Sequence, residues 1–487
     1  MPVVSYGKAL TLHAERDPER IAIVHEGQIT TFGELERAAR RRARLLIEHG
    51  VGLGDFVTIA LPNCVEFFEV TFAAWKIGAV PQPVSSHLPV IERGAILERA
   101  QPRLVVGVPE ADHPQFRCLP QGCDPSAFDD AQLPDAIAPN RQALASGGST
   151  GTPKVIVDLL AAEVDPEETF YGVEPGRTTL VPGPLYHAGP FINGMVTLLT
   201  GGRVILMSRF DPEQTLALIE QHSIAFVNLV PTMLQRIWRL PDEVRTRYDV
   251  SSLRSVYSSG AACPPWLKQA WIDWLGPEKI FEAYGATERT GGTVISGTEW
   301  LERPGSVGKP THGRKLEVRD DEGRALPPGE IGEVYMMPPG GQGSTYRYIG
   351  AEARASQDGW ESLGDMGYMD DDGYLYLVDR RSDMIVTGGA NVYPAEVEAA
   401  LDSHPHVHSS AVFGLPDDDL GQRVHAIVEA RPPIGEDELR AHLAERLVRY
   451  KTPRTYEFTD QPLRDDAGKV RRSKLREERI VMEAHDQ

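Results

Sequence analysis

The sequence predicts an α/β protein: a large N-terminal body of α/β subdomains with a short-strand β subdomain, followed by a small mobile α+β lid at the C-terminus. Apolar segments of strand and helix type alternate from the start of the chain, which is typical of parallel sheet covered by helices. After Ser306 the segments become short strands punctuated by Gly and Pro, and near Arg380 the pattern changes again. A chain of 487 residues is also too long for a single hydrophobic core.

The first elements are placed by local signals. Thr31 and Glu34 have capping-box spacing ahead of an apolar pattern of helical period, and Gly50 ends that helix. Residues 56–60 are predicted as a buried strand and residues 65–76 as a helix ended by Gly78. Later body segments are predicted as strands at 104–108, 203–207, 225–230, 315–319 and 332–336, helices at 212–222 and from 232, and a strand running from 253 into a turn at 262.

The residues after Arg380 form a pattern of their own. A helix is predicted at 395–401, strands at 410–413 and 424–429, and a second helix at 436–446. This change places a domain boundary close to 380. We therefore expect residues 1–380 to form the body and residues 381–487 to form the lid.

The charge balance excludes some classes of partner. The chain has 50 Lys and Arg residues against 70 Asp and Glu residues, a formal net charge of -20. A nucleic acid or an anionic membrane surface would be repelled by this charge. The N-terminus lacks the pattern of a signal peptide, and the most apolar stretch, 70–80, is short and contains Lys76. We expect a cytoplasmic protein with no membrane span.

The four cysteines are scattered and form no CxxC pair. Reduced thiols in the cytoplasm are the expectation. The closest pair, Cys118 and Cys123, leaves a loop disulfide or half of a metal site open as an alternative.

The most informative stretch is Ser146-Gly147-Gly148-Ser149-Thr150-Gly151-Thr152-Pro153-Lys154. Glycines let backbone amides approach a phosphate, hydroxyl groups donate hydrogen bonds, and a lysine adds positive charge. A Walker loop requires Gly-Lys at the start of a helix, whereas here the lysine follows a proline, which has no amide hydrogen. The stretch therefore predicts a different phosphate loop that connects two strands, rather than a polar linker.

Further motifs follow in order along the chain. They are Tyr284-Gly285-Ala286-Thr287-Glu288, Gly364-Asp365, Asp379-Arg380-Arg381-Ser382-Asp383 and Gly468-Lys469. A glutamate offers the hard oxygen that Mg²⁺ prefers, and a lysine can neutralise charge between two anions. In this order, over nearly the whole chain, the motifs resemble the adenylate-forming superfamily of acyl- and aryl-CoA synthetases, firefly-type luciferases and peptide-synthetase adenylation domains.

The resemblance implies a role for each motif. Tyr284 would stack on adenine, Thr287 would bind the α-phosphate and Glu288 would hold Mg²⁺. Asp365 would accept both ribose hydroxyl groups, with Arg380 as a second contact to ribose or phosphate. The implied cofactor-binding residues are Ser146, Gly147, Gly148, Ser149, Thr150, Gly151, Lys154, Gly260, Ala261, Ala262, Glu282, Ala283, Tyr284, Gly285, Ala286, Asp365, Arg380, Gly388 and Gly389. The implied metal contacts are Glu288 and Ser146.

The resemblance also implies a two-step ligase that uses ATP, Mg²⁺ and coenzyme A. Lys469 would act in the first step, and the lid would then rotate near Ser382 to bring the Gly388-Gly389 loop to the pantetheine channel. The family usually has Lys or Asp where Ser382 stands, which leaves the pivot residue open. His187 either acts on the carboxylate or the thiol, or is a packed histidine; both interpretations stay open.

The acid is predicted less directly. Amino-acid-activating relatives usually place an aspartate in the aromatic motif where this chain has Tyr186-His187, which disfavours an amino acid. The stretch 299–308 resembles fatty-acid and bile-acid or steroid-type CoA ligases, which favours a bulky hydrophobic carboxylic acid. No carrier domain follows, which favours free CoA as the acceptor.

Several alternatives stay open from the sequence. The enzyme could catalyse one half-reaction, such as thioester formation from a supplied acyl-adenylate, or the chain could be an inert nucleotide-binding relative. A carrier-protein acceptor and a homodimer are also open.

Two other patterns are assigned no ligand. His404, His406 and His408 alternate, which on a strand would place three imidazoles on one face, but the stretch fits a helix-to-strand connection in the family. Trp266, Trp271 and Trp274 are expected to pack a helix onto the core.

Overall fold

The computed structural model describes residues 2–147, 153–170, 172–431, 434–465 and 468–485. The helices are α1 (Tyr6–Arg16), α2 (Phe32–Glu48), α3 (Val65–Lys76), α4 (Val90–Ala100), α5 (Ala188–Leu199), α6 (Pro212–His222), α7 (Pro231–Trp238), α8 (Asp242–Arg245), α9 (Pro265–Leu275), α10 (Gly297–Glu302), α11 (Pro394–Asp402), α12 (Glu436–Ala444) and α13 (Arg472–His485).

The strands of the first half of the chain are β1 (Val4–Ser5), β2 (Ile21–His25), β3 (Gln28–Thr31), β4 (Phe56–Ile59), β5 (Val80–Pro83), β6 (Leu104–Val106), β7 (Cys118–Leu119), β8 (Ala143–Gly147), β9 (Pro153–Asp158), β10 (Glu163–Val164), β11 (Thr178–Val181), β12 (Arg203–Leu206) and β13 (Phe226–Leu229). Those of the second half are β14 (Ser255–Ser259), β15 (Ile280–Gly285), β16 (Gly292–Ser296), β17 (Lys309–Pro310), β18 (Lys315–Arg319), β19 (Gly332–Met337), β20 (Tyr346–Ile349), β21 (Glu361–Met369), β22 (Leu375–Arg380), β23 (Ile385–Thr387), β24 (Ala390–Val392), β25 (Val407–Asp417), β26 (Gly421–Ala430) and β27 (Thr455–Thr459).

Local sequence explains where several helices begin. In α2, Thr31 Oγ1 accepts the Glu34 amide at 3.2 Å and the Glu34 carboxylate accepts the Thr31 amide at 2.8 Å, so the predicted capping box forms. Helices α3 and α6 have the bounds that periodicity predicts, 65–76 and 212–222. In α6 the Asp211 carboxylate caps the amide of Gln214 at 2.8 Å, and a proline stands in the first turn.

The body is organised around a nine-stranded sheet with the order β17-β16-β15-β14-β13-β11-β12-β2-β3. The strands from β15 to β2 run parallel, while β16, β17 and β3 pair antiparallel at the edges. Parallel strands end at the same edge of a sheet, where ligands of open α/β sheets bind. The carboxyl ends of β13, β14 and β15 therefore define one candidate site.

Smaller sheets flank this centre. A parallel sheet of order β5-β4-β6-β7 lies in the N-terminal part. An antiparallel sheet has the order β20-β9-β8, and its strands β8 and β9 border the stretch predicted as the phosphate loop. The strands β18, β19, β21 and β22 form an antiparallel sheet of their own. The predicted mixture of parallel sheet and short-strand sheet in the body is confirmed.

The C-terminal part has its own small core. Strand β25 pairs antiparallel with β26, β26 pairs parallel with β27, and α11, α12 and α13 flank them. Val397, Leu401, Val412 and Leu439 are fully buried there. The predicted fold class, a large body followed by a small α+β unit, is confirmed, but β25 is much longer than the predicted strand at 410–413.

Candidate active site

The ends of the phosphate loop lie on two paired strands. Ser146 is opposite Lys154 and Gly147 is opposite Pro153 in the antiparallel ladder of β8 and β9. This arrangement agrees with a loop between two strands rather than one that opens a helix. Gly148, Ser149, Thr150 and Gly151, which the sequence assigns to phosphate binding, lie outside the described residues, as does the side chain of Ser146.

Lys154 and Glu288 meet beside this loop. Lys154 Nζ lies 3.2 Å from Glu288 Oε1, and Glu288 is buried just after the end of β15. Tyr348 Oη donates to the same oxygen at 2.6 Å, and Thr345 Oγ1 donates to the Glu288 carbonyl at 3.0 Å. Burial and the charge of Glu288 raise the pKa of Tyr348, so its hydroxyl stays a donor. Thr287, half-buried, precedes Glu288 in the same turn.

The donors present at this position fit a magnesium ion. Glu288 supplies a hard carboxylate oxygen, and Lys154 offers a cation for phosphate oxygens next to it. Mg²⁺ is usually held by one or two carboxylates together with substrate phosphates, so a single buried glutamate beside a phosphate loop suffices.

A second group of charged residues joins β15 to the antiparallel sheet. Tyr284 Oη donates to Asp365 Oδ2 at 2.6 Å, and Arg380 Nε lies 3.3 Å from Asp365 Oδ1. Asp365 and Arg380 are opposite each other in the ladder of β21 and β22. Burial and the neighbouring carboxylate raise the pKa of Tyr284 well above its usual value. The structure thus brings together three residues that the sequence assigns to adenine and ribose.

Strand β15 carries several predicted nucleotide contacts, of which one is turned inward. The Glu282 carboxylate lies 2.8 Å from Lys268 Nζ, and both side chains are buried. Only the Glu282 backbone is therefore placed to contact a nucleotide. Ala283 is opposite Ser259 in the ladder, so the exposed turn Gly260, Ala261 and Ala262 follows directly beside it, and Gly285 and Ala286 lead from β15 towards Glu288.

Lys469 of the C-terminal unit and His187 of the body lie near enough for the lysine charge to act on the imidazole. His187 directly precedes α5 without a capping hydrogen bond from its side chain, and burial, followed by the positive charge of Lys469, lowers its pKa to about 4. Its imidazole is therefore neutral at physiological pH. Within the described part of the chain, His187 Nε2 is buried without a hydrogen-bond partner. Such a group is suited to contact a bound molecule.

The loop that carries Lys469 is fixed by its own backbone and by the body. The Lys469 amide donates to Asp465 Oδ1 at 2.9 Å, and Arg464 donates to the Gly468 carbonyl at 3.2 Å. Gly468 has φ 74°, and a Cβ there would lie only 2.6 Å from Thr232 Oγ1. The loop therefore sits directly against the first turn of α7 in the body.

An aromatic layer covers one face of the nine-stranded sheet. The rings of Tyr257 and Phe281, on adjacent parallel strands, stack with centroids 5.0 Å apart and an interplanar angle of 14°. Phe226 contacts Tyr257 with centroids 5.4 Å apart. At the carboxyl end of the same strands, Ser259 Oγ donates to Asn228 Oδ1 at 2.9 Å. The layer combines flat apolar surface with one polar pair.

The segment around Ser382 is anchored on both sides. Arg381 pairs with the buried Glu333 of β19 at 3.0 Å, and Asp383 pairs with Arg472 of α13 at 2.9 Å. Ser382 thus stands between one residue held by the body and one held by the C-terminal unit.

Helix α11 contacts the body at both ends. The Ala395 amide in its first turn donates to Asp379 Oδ2 of β22 at 2.7 Å. At its last residue, the Asp402 carbonyl accepts Arg239 Nη2 at 3.1 Å and Gln235 Nε2 at 3.4 Å, both from the end of α7. An acid at the N-terminus and a base at the C-terminus match the helix dipole.

Gly388 and Gly389 lie elsewhere in this arrangement. They form the exposed turn of the β23–β24 hairpin with φ 55° and 81°, which favours glycine at both positions. The Gly388 amide donates to the Leu420 carbonyl of the same unit, and a Cβ at Gly389 would meet no atom within 4 Å. The structure does not bring these two glycines to the Lys469 and His187 pair.

His404, His406 and Glu438 have potential ligand atoms within 4.8 Å of one another. However, the His406 amide donates to His404 Nδ1 at 3.2 Å, so the neutral ring carries its proton on Nε2, which faces Glu438 Oε1 at 3.4 Å. A proton rather than a lone pair points at the carboxylate.

Several residues that shape the site have no motif in the sequence. These are Tyr348 and Thr345 beside Glu288, Thr232 under Gly468, and Arg239 at the end of α11. The one usable signal is the alternation of Tyr346 and Tyr348, which places two aromatic rings on one face of a short strand.

Among the described residues no helix is both long and apolar enough to cross a bilayer, and the four cysteines are free thiols.

Comparisons with known proteins show which family the chain resembles. The model of the AMP-binding enzyme family matches residues 10–346, and that of the AMP-binding enzyme C-terminal domain matches residues 396–469. A feruloyl-CoA synthase of Amycolatopsis sp is 34% identical over 490 residues, with 95% of this chain and 96% of that protein covered.

Solved structures are similar over the whole chain. The o-succinylbenzoate CoA synthetase of Bacillus subtilis in complex with its acyl-adenylate intermediate has a TM-score of 0.81 and 27% identity, covering 98% of both chains. The same enzyme with ATP and a magnesium ion has a TM-score of 0.80 and 27% identity, covering 96% of this chain and 98% of that one. The predictions of an ATP-dependent, AMP-forming acid–CoA ligase and of its ATP, Mg²⁺ and CoA requirement are confirmed, and the chain belongs to the AMP-binding enzyme family.

Proposed function

We propose that this protein activates an aromatic carboxylic acid as its acyl-AMP and transfers the acyl group to free coenzyme A. Residues 1–380 hold ATP and the acid, and residues 381–487 act as the lid that serves both steps in turn. The observation that carries this proposal is the docking of the Lys469 loop on the body, where Gly468 lies against Thr232 and the charge of Lys469 lowers the pKa of His187.

In the first step, a carboxylate oxygen of the acid attacks the α-phosphorus of ATP, and the bond to pyrophosphate breaks. Lys469 neutralises the repulsion between the two anions and stabilises the charge that develops. The neutral imidazole of His187 adds no charge beside the acid. Bound at Glu288, Mg²⁺ would offset the charge of the phosphate oxygens, with Ser146 as the second assigned contact.

The ribose and adenine contacts hold the nucleotide for that attack. Asp365 accepts the ribose hydroxyl groups, and the hydroxyl of Tyr284 bonds to Asp365, which orients the Tyr284 ring for adenine. Arg380 balances the charge of Asp365.

In the second step, the CoA thiol gives its proton to solvent and its sulfur attacks the acyl carbon, and the bond to AMP breaks, which releases AMP. Lys469 leaves and the Gly388-Gly389 turn approaches, which requires the lid to rotate about the backbone near Ser382. The exposed position of that turn, clear of neighbouring atoms at Gly389, suits it to admit a narrow chain.

The aromatic side chains on the central sheet favour an aromatic acid. Aromatic rings pack in offset stacks, and Tyr257 and Phe281, which are half-buried and stacked on each other, could extend such a stack to a bound ring. The Asn228 and Ser259 pair could bond to a ring substituent. The compared relatives are named for feruloyl and o-succinylbenzoyl substrates, both of which carry an aromatic ring. The proposed substrate class is therefore an aromatic acid, which is more specific than the bulky hydrophobic acid predicted from the sequence.

A screen of pyrophosphate release tests the proposal. The purified protein is given ATP, Mg²⁺ and single acids from aryl, arylpropenoic, straight-chain fatty and steroid classes, each with and without CoA, and products are identified by mass spectrometry. We expect the highest rate with an aromatic acid and its CoA thioester as product. Faster turnover of fatty or steroid acids would contradict the aromatic assignment, and pyrophosphate release without thioester would indicate a single half-reaction.

The screen needs a matched pair of lysine variants. Lys469→Ala should abolish pyrophosphate release but largely spare thioester formation from a supplied acyl-AMP. Lys474→Ala, on the exposed face of α13, removes a positive charge of the same lid without reaching the body. Equal behaviour of the two variants would count against the role of Lys469.

A further inference from the structure

We propose that Tyr348 is a positioning residue that holds Glu288 and Lys154 in the arrangement that MgATP requires. The inference rests on the proposed function in so far as Glu288 is taken as the metal ligand. It assigns a role to a residue outside every motif that the sequence offers.

Tyr348 contacts both charged residues at once. Its hydroxyl donates to Glu288 Oε1 at 2.6 Å, and the face of its ring lies 4.0 Å from Lys154 Nζ, a cation–π distance. Lys154 reaches the same carboxylate oxygen at 3.2 Å. One side chain therefore fixes the acid through a hydrogen bond and the base through its ring.

The backbone makes this contact rigid. Strand β20 pairs with β9 so that Tyr348 is opposite Ile156 and Ile349 is opposite Val155, next to Lys154. From the same strand region, Thr345 Oγ1 donates to the Glu288 carbonyl at 3.0 Å. The segment before and within β20 thus holds both the main chain and the side chain of Glu288.

A neutral donor has a specific use at this position. Lys154 must turn towards phosphate oxygens when ATP binds, and Glu288 then loses the ion pair that holds it in this structure. The Tyr348 hydroxyl can stay on Oε1 throughout, because it carries no charge that the phosphates would attract. It keeps the carboxylate aimed while the lysine changes partner, which reduces the reorganisation needed for metal binding.

Tyr348→Phe removes the hydroxyl and keeps the ring under Lys154. We expect the affinity for ATP in the presence of Mg²⁺ to fall on the order of tenfold, the loss typical of one hydrogen bond to a charged group. Calorimetry should show that binding of ATP with EDTA changes much less. Thioester formation from a supplied acyl-AMP, which needs no metal bound at Glu288, should keep its rate.

The control variant is Tyr368→Phe, which removes a hydroxyl from β21, where the ring stacks on Tyr376 rather than contacting Glu288. It should retain the Mg²⁺ dependence of the wild type. The inference is overturned if Tyr348→Phe binds MgATP as the wild type does, or if it weakens ATP binding equally with Mg²⁺ and with EDTA. Since binding is measured without an acid, failure of every acid in the pyrophosphate screen would affect the proposed function alone.

Discussion

Replacing Gly468 with alanine should separate the two half-reactions. A Cβ at this position would lie 2.6 Å from Thr232 Oγ1 and 3.2 Å from Val230 Cγ2, both in the body. Packing an extra methyl group into such a contact costs about 1–3 kcal/mol. The clash exists only while the lid holds Lys469 against the body, so adenylation should slow about five- to 150-fold.

A second cost must be separated from the clash. Gly468 has φ 74°, and alanine in that region is strained by about 1–2 kcal/mol. This strain stays with the lid in either orientation. Gly421→Ala provides the matched control, because Gly421 lies in the same lid with φ 76° and a Cβ there would meet no atom within 4 Å. It should change neither half-reaction by more than a small factor.

The assay measures pyrophosphate release for the first step and thioester formation from synthetic acyl-AMP for the second. Gly468→Ala should slow the first step and largely spare the second. Adding Thr232→Ala removes the hydroxyl that the new methyl group meets and should restore part of the adenylation rate, a coupling of about 1 kcal/mol or more in a double-mutant cycle. Equal loss in both steps, or no recovery in the double variant, would refute the docking contact.

Three further predictions concern the nucleotide, a buried acid and the pivot. Asp365→Ala should lower the affinity for ATP and AMP by about one to two orders of magnitude, and calorimetry showing wild-type affinity would contradict the ribose contact. Burial raises the pKa of Asp402 from 3.8 to about 7, so its protonated form stabilises the fold at low pH and this contribution is lost as the pH rises from about 4 through about 7. Denaturant unfolding should therefore show a smaller fall in stability between about pH 5 and about pH 8 for Asp402→Asn than for the wild type, and parallel curves would argue against that pKa. Ser382→Pro should slow thioester formation and leave adenylation nearly intact, since proline fixes φ at the pivot; wild-type rates in both steps would move the pivot elsewhere.

Local sequence signals were sufficient to predict many of the helices and strands. Helices α3 and α6 have the predicted bounds because their apolar periods agree with their end signals, which are Gly78 after the end of α3 and the Asp211 cap with Pro212 at the start of α6. Strand β25 runs from Val407 to Asp417 although only 410–413 was predicted. Its ends contain His408, Gly414 and Pro416, residues that weaken a strand prediction, and pairing along β26 overrides that preference.

Some residues of the candidate site could likewise be predicted from the sequence and others could not. Residues inside ordered motifs, such as Glu288, Asp365 and Lys469, could be named from the sequence. The catalytic or binding role of each of them remains a prediction. Glu282 shows a limit of motif reasoning: in β15 its side chain alternates with that of Ala283 and pairs with Lys268 in the interior. Tyr348 and Thr232 could not be named, because their contacts join segments far apart in the chain.

Helix α11 is hydrogen-bonded to the body at both of its ends, so a rotation of the helix affects the two contacts unequally. Its nine residues span about 13 Å, with the Asp379 contact at the hinge end and the Arg239 contact at the far end. In the proposed rotation about the backbone near Ser382, the near end of α11 moves little and the far end moves most, so the Arg239 contact is the one that has to break first. The charged Arg239 guanidinium also interacts with the buried Asp402 carboxylate. Salt screens buried charges little, so the release of this contact should depend on geometry more than on ionic strength.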